Sequence, residues 1–406
     1  MRFTTDYCPG THDIRPTAEQ VRFALGAMQA VADVSGPHPL QVQLIEAGKE
    51  LLGYEGPVDA ASDPGRGLAL VPELVPRIWI VQAMIVTALT DGEIREEEVE
   101  VIERFAQALE VDEPRVEVLR LFVNGEYRQA RIKTARAGAI NHFLRQAYEE
   151  QGVRGLWSMI GTRFGRAQSP ALAWQFRQLG LLPRGTLGRT FWASMTKLAI
   201  SFPGEAYGLP ERVVWHDLAH TLTGYSTTSL GEILLAAYEA GSVRFDSFKN
   251  LFVFLMQTHV GFNIVPTIFP AAGNLDPRAM LYAIARGRQA RYDVSVRWGS
   301  TGAGSAGFWE DMAKPLSELR EEFGIGEPLT PDPALSTDTG IVDWVAFDDG
   351  QRPPEKQNTV EVAPWSRLRQ YLSNRKPDFS AVLGGATIDA GAIVGSTESA
   401  NAGVAK

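Results

Sequence analysis

The chain has a single cysteine, Cys8, among 406 residues. No disulfide can close within it, no zinc site built on several thiolates is available, and a reducing compartment is expected. Positive charge is also short. Lysine and arginine number 39 against 48 acidic residues, a formal net charge of −9, which argues against nucleic acid as the main partner because phosphate binding needs a basic surface. No apolar run reaches membrane-span length unbroken. The longest, Leu251 to Phe269, is interrupted by Gln257, His259, Asn263 and Pro266, so a buried core helix is the plainer reading. Met1 to Gly10 lacks the cationic flank and apolar centre of a secretory signal, and a cytoplasmic location is expected. Histidine is scarce too, with six residues in all.

What is present reads as helix. A chain of this length exceeds one ordinary core, so two domains are expected. Thr17 and Gln20 form a T-x-x-Q helix start after Pro16, a capping-box pattern. Leu40 to Leu52 is periodic and ends near Gly53, and Arg77 to Leu89 is apolar enough to be the centre of a first bundle. The expected organisation is all-α: an N-terminal arm (1–16), a helical domain (17–150), a connector (151–164), a second helical domain (165–326) and a Pro/Gly/Ala-rich tail (327–406) without stable structure. The strand-like Ile341 to Val345 stretch is too isolated to build a sheet.

Asp91-Gly92-Glu93-Ile94 opens an acidic run through Glu103 in which Val99, Ile102, Phe105 and Leu109 keep helical spacing. A solvated acidic face on an amphipathic helix explains the run. A divalent-cation site around Asp91, Glu93 and Glu97 is the sharper alternative, although the calcium-loop spacing is missing. The D-G-x-I-x-x-E-E stretch resembles the tellurite-resistance B-like helical family over roughly residues 40–145.

The chemistry concentrates at His216, Asp217, His220 and Glu232, which read H-D-x-x-H followed by eleven residues and E. On a helix, positions i and i+4 share a face, so His216 and His220 can point at one ion, with Glu232 arriving from the next helix. Two imidazoles plus carboxylate suit zinc and leave room for water or substrate. Asp217 could ligate, orient His220 or move protons. Pro210 marks the start of the first helix and Gly224 its end. Glu232 has a competing job, because Ser229-Leu230-Gly231-Glu232 reads as S-x-x-E, a capping box.

This H-D-x-x-H-x(11)-E pattern resembles the signature of the coenzyme Q biosynthesis protein 4 family. Leu182 to Arg189, Leu222 to Tyr225, Leu230 to Glu232, Ala285 to Arg288, Tyr292 to Trp298 and Leu316 to Ile325 resemble other segments of it. The likeness implies an all-helical fold, zinc or a similar divalent cation held by His216, Asp217, His220 and Glu232, and a peripheral place at the inner face of a membrane. It also implies a role in quinone head-group maturation, in which the ring carboxyl of a prenylated hydroxybenzoate is removed, with or without a hydroxyl taking its place. In that chemistry Asp217 is the catalytic candidate, and either it or a bound water could carry the proton. Expected partners are an isoprenoid or quinone-like lipid, other quinone-pathway proteins and a second copy of the chain.

Substrate-binding candidates are Arg286, Arg288 and Arg291, whose guanidinium forks could hold a carboxylate or lipid phosphate, together with His259 and Tyr225. A solvated basic face and a core histidine are the bland readings. Two functional alternatives stand beside the enzyme: a non-catalytic lipid-binding organiser of a quinone-pathway complex, and a membrane-surface stress protein suggested by the first domain alone. An open coordination position separates catalysis from a closed structural ion.

Overall fold

The computed structural model describes residues 15–61, 63–137, 147–149, 152–157, 161, 168–208, 210–243, 248–264, 273–299, 307–335 and 338–348. Cys8, most of the expected arm, much of the connector, and the tail beyond 348 lie outside these residues. Among the described residues the fold is helical and has no strand, as the all-α expectation required.

Local signals set the first helices. Thr17 and Gln20 make both capping-box hydrogen bonds, Thr17 N–H to Gln20 Oε1 at 2.9 Å and Gln20 N–H to Thr17 Oγ1 at 3.2 Å, and open helix Ala18–Val34. Helix Pro39–Leu52 stops at Gly53, whose φ of +62° is left-handed. Helix Leu74–Leu89 begins three residues before the expected Arg77, because a proline such as Pro76 is tolerated in a first turn, where its missing N–H costs nothing. The acidic run forms helix Glu96–Ala108, burying Val99, Ile102 and Phe105.

Among the described residues the apolar core is not split into two separate clusters. One contiguous cluster runs from Val21 to Ile325. Helix Pro39–Leu52 packs on helix Pro277–Gln289, and Leu74–Leu89 touches helix Phe248–Thr258. Phe122 meets Phe262 edge-on at 5.0 Å, and Arg131 lies over the Phe262 ring while donating to the Asn263 carbonyl at 2.8 Å. The reason is visible in Leu74–Leu89. A helix apolar on most of its surface cannot be satisfied by one neighbouring layer and takes a second from the other half of the chain.

In the second half, helices Ser229–Ser242 and Pro277–Gln289 cross backbone to backbone. A Cβ at Gly241 would fall 2.1 Å from the Ile284 carbonyl oxygen, and one at Gly287 would fall 2.0 Å from that of Tyr238. Only glycine permits that approach.

The expected tail starts too early. Residues 338–348 pack on the second half: Trp344 and Phe347 are buried, and Ile341 forms an antiparallel bridge with Tyr225. The strand-like stretch therefore pairs with a loop rather than standing alone. Sequence composition missed this because two aromatic anchors are enough to hold a short segment whose flanks are proline-rich.

Candidate metal centre

His216 and His220 lie on helix Val214–Thr223, preceded by a 3-10 turn at Glu211–Val213 just after Pro210. Gly224 ends the helix at a φ of +81°. The two rings meet edge to face across one turn, with centroids 5.1 Å apart and planes at 85°.

Glu232 belongs to helix Ser229–Ser242, and its competing job falls away. The cap is Thr228, one residue earlier than expected, whose hydroxyl accepts from the Gly231 N–H at 3.3 Å. Glu232 then sits one position past the capping-box site, and its carboxylate is free to turn toward the histidines. Gly231 makes this loop fit, since a Cβ there would fall 2.1 Å from the Ser226 carbonyl oxygen.

Both imidazoles aim Nε2 at the same carboxylate atom. Glu232 Oε2 lies 3.3 Å from His216 Nε2 and 3.5 Å from His220 Nε2. Those separations match the edge of a tetrahedron whose metal–ligand bonds are roughly 2.0–2.1 Å. The three candidate ligand atoms all lie within 4.8 Å of one another, and among the described residues this is the only group of three or more His, Cys, Asp or Glu side chains so placed. The site opens on one side: His216 and Glu232 side chains are each 21% exposed, whereas His220 is 3% exposed.

Each imidazole is oriented through its other nitrogen. His216 Nδ1 lies 2.6 Å from Glu239 Oε1, and the second oxygen of Glu239 accepts from Asn250 Nδ2 at 2.8 Å. His220 Nδ1 lies 3.2 Å from the Tyr225 carbonyl. A carbonyl only accepts, so His220 Nδ1 carries a hydrogen, and Nε2 is the nitrogen turned to Glu232. The His216 ring also stacks on Phe254 at 5.8 Å with planes 3° apart.

The electrostatics are those of a coupled acid–imidazole cluster. Burial works to raise the Glu232 carboxyl, but the charge on His220 and the hydrogen bonds from both histidines hold it far below the carboxylate range. Burial works to lower His216, but the charge of Glu239, with the hydrogen bonds His216 donates to Glu232 and Glu239, drives it well upward. A divalent cation satisfies the same demand for positive charge between these groups. Asp217 stands apart from the converging trio. Its carboxyl is raised, chiefly by burial, with the neighbouring imidazoles pulling the other way.

The remaining candidates are placed elsewhere. Arg286 donates from Nε to the Gly326 carbonyl at 2.7 Å and from Nη2 to that of Thr223 at 2.8 Å, and lies over the Tyr225 and Tyr238 rings. Arg288 stacks over Trp79, and Arg291 is exposed. Tyr225 serves the centre through its carbonyl, while its ring faces Arg286. His259 is buried, donates from Nε2 to the Thr90 carbonyl at 2.9 Å and joins the two halves of the chain. In the acidic turn, Arg95 fills the place proposed for a cation, pairing with Asp91, Glu93 and Glu98.

Sequence reading missed Glu239, Asn250 and Phe254. Glu239 had a signal: it lies seven residues after Glu232, two turns along the same face, in an otherwise apolar segment. A carboxylate buried among Leu234, Leu235, Ala236 and Ala237 needs a partner.

No helix among the described residues is long and apolar enough to cross a membrane. No family model matches the chain, and neither the curated proteins nor the solved structures searched contain a significant match to it.

Proposed function

We propose that the chain is a metal-dependent enzyme that removes the ring carboxyl of a prenylated hydroxybenzoate, a step of quinone head-group maturation. The observation that carries this reading is the convergence of His216 Nε2, His220 Nε2 and Glu232 Oε2 in a group open on one side. Three protein ligands with a free position are the arrangement of catalytic rather than structural zinc. When bound, such an ion supplies Lewis acidity toward a carboxylate or phenolate oxygen.

Within that reading the chain's own residues divide the work. His216, His220 and Glu232 hold the ion, and Glu239 with Asn250 fixes the His216 ring. Asp217 carries the proton. When the bond from ring carbon to carboxyl breaks and carbon dioxide leaves, the electron pair stays on the ring carbon and takes that proton. A carboxyl raised by burial is suited to deliver it. Helix Phe248–Thr258 forms an apolar wall beside His216 through Phe254, which suits a prenylated ring. The zinc assignment, the lipid partner and a peripheral membrane place belong to this proposal. They rest on the donor set together with the resemblance of the H-D-x-x-H-x(11)-E pattern.

The test is carbon dioxide release from a prenylated hydroxybenzoate, with and without chelator, beside a His220→Ala variant. Release that stops on chelation and returns with zinc is the expected result. Release unchanged by chelation rejects the reading. Tight zinc binding together with copurifying isoprenoid lipid and no turnover selects the lipid-binding organiser instead.

A further inference from the structure

We infer that residues 338–348, beyond the expected limit of the second domain, are a built part of this centre: they hold the loop joining the two ligand helices, and Trp344 positions His220. The inference rests on the metal reading above and names what keeps that site in register.

The segment grips the 224–230 loop along its length. Ser226 N–H donates to the Gly340 carbonyl at 2.9 Å, and Val342 N–H donates to that of Gly224 at 2.9 Å, on either side of the Tyr225–Ile341 bridge. Two side chains then reach the two ligand arms. Trp344 Nε1–H donates to the Tyr225 carbonyl at 3.2 Å, the same oxygen that His220 Nδ1 uses at 3.2 Å. Asp338 Oδ2 accepts from Leu230 N–H at 3.3 Å, two residues before Glu232. The far end is tied to helix Leu187–Lys197, where Arg189 pairs with Asp348 at 3.0 Å and Lys197 donates to the Phe347 and Asp348 carbonyls.

The physical consequence follows from carbonyl geometry. One oxygen has two lone pairs and can serve both donors at once. With one lone pair held by the buried Trp344 indole, the carbonyl cannot swing away, and the other stays aimed at His220. That holds the His220 ring in place through Nδ1–H and points Nε2 at Glu232 before any ion arrives. The site is therefore preformed by a segment more than a hundred residues downstream of its ligands. Trp344 is a positioning residue, since it acts on His220 through the Tyr225 carbonyl.

The experiment uses the full chain with Trp344→Phe and Asp338→Ala. The Phe variant keeps most of the ring volume and deletes one N–H. In metal-free protein, nitrogen NMR of the imidazoles should show the His220 Nδ1–H hydrogen-bonded and protected from exchange in wild type, and exchanging faster in Trp344→Phe. Zinc competition titrations should show about 3- to 10-fold weaker binding in each variant, below the roughly 10- to 100-fold expected for losing a direct partner of a ligand. Cobalt(II) in place of zinc should give a weaker, broader visible absorption in Trp344→Phe. Folded variants with the wild-type Nδ1–H exchange and zinc affinity overturn the inference. If wild type takes up no zinc, the metal reading falls, and the metal-free Nδ1–H measurement still decides whether Trp344 holds His220. Should Trp344→Phe not fold, Asp338→Ala carries the zinc comparison alone.

Discussion

Two of the places where carboxylates converge among the described residues have opposite outcomes. At the acidic turn, Asp91, Glu93 and Glu98 surround the Arg95 guanidinium, and the Asp91 and Glu98 side chains are 1% and 0% exposed. In the second half, Glu232 meets only imidazoles among the ion pairs of the described residues. Where the chain supplies its own fixed cation, converging acids make a closed structural cluster. Where it supplies imidazoles, whose positive charge depends on a proton, the same convergence leaves a place that a metal can take. The histidines differ in the same sense. His259, beside the acidic turn, is driven by burial down to about 4, while His216 is driven upward by the carboxylates around it.

The comparison breaks most readily at a ligand. Apparent zinc binding in four-ligand sites is about 10–16 kcal/mol, so one ligand contributes roughly 2.5–4 kcal/mol. Glu232→Gln or His220→Ala should therefore weaken zinc by two to three orders of magnitude in a competition titration, with Arg95→Ala leaving it unchanged. Equal zinc loss in Arg95→Ala would mean that the two regions are not separate.

Next in size, Arg95→Ala should destabilise the fold by about 3 kcal/mol, because it strands two buried carboxylates. A urea unfolding curve measures this, and a midpoint within error of wild type would show the cluster to be inert.

Glu239→Gln sharpens the second region. It keeps the side-chain shape and removes the charge beside His216, so zinc should bind about 10- to 100-fold more weakly. An unchanged affinity would make Glu239 a bystander.

The smallest effect is the pH response of His259. Its folded pKa, about 4, lies below the unfolded value, so the unfolded chain takes the proton first. Its neutral form supports the fold fully above about pH 6.5, and stability falls as pH drops from there toward 4, by about 1 kcal/mol between 6.5 and 5.5. Urea midpoints across that span should flatten in His259→Gln. The same slope in the variant would assign the response to another group.

Much of the centre was legible before the fold. The i, i+4 histidines, Pro210 and Gly224 specify a short helix with two rings on one face, because helical periodicity needs no tertiary information. The Glu232 ambiguity was real, since Thr228 and Ser229 are both capable caps and only the path of the loop chose between them. Glu98 shows the reverse failure. It was read within a solvated acidic face, yet it is fully buried against Gln41 and Ser35, reached from a helix and a cap far away in sequence.

The sequence by itself determined helix, cap and ligand types, because these depend on neighbours within a turn or two. Tertiary structure alone decided that the two halves share one core, that Arg95 takes the cation's place in the acidic turn, and that Trp344 reaches the partner of His220. Those outcomes depend on which surfaces meet after the chain has crossed itself, and no local spacing encodes that meeting.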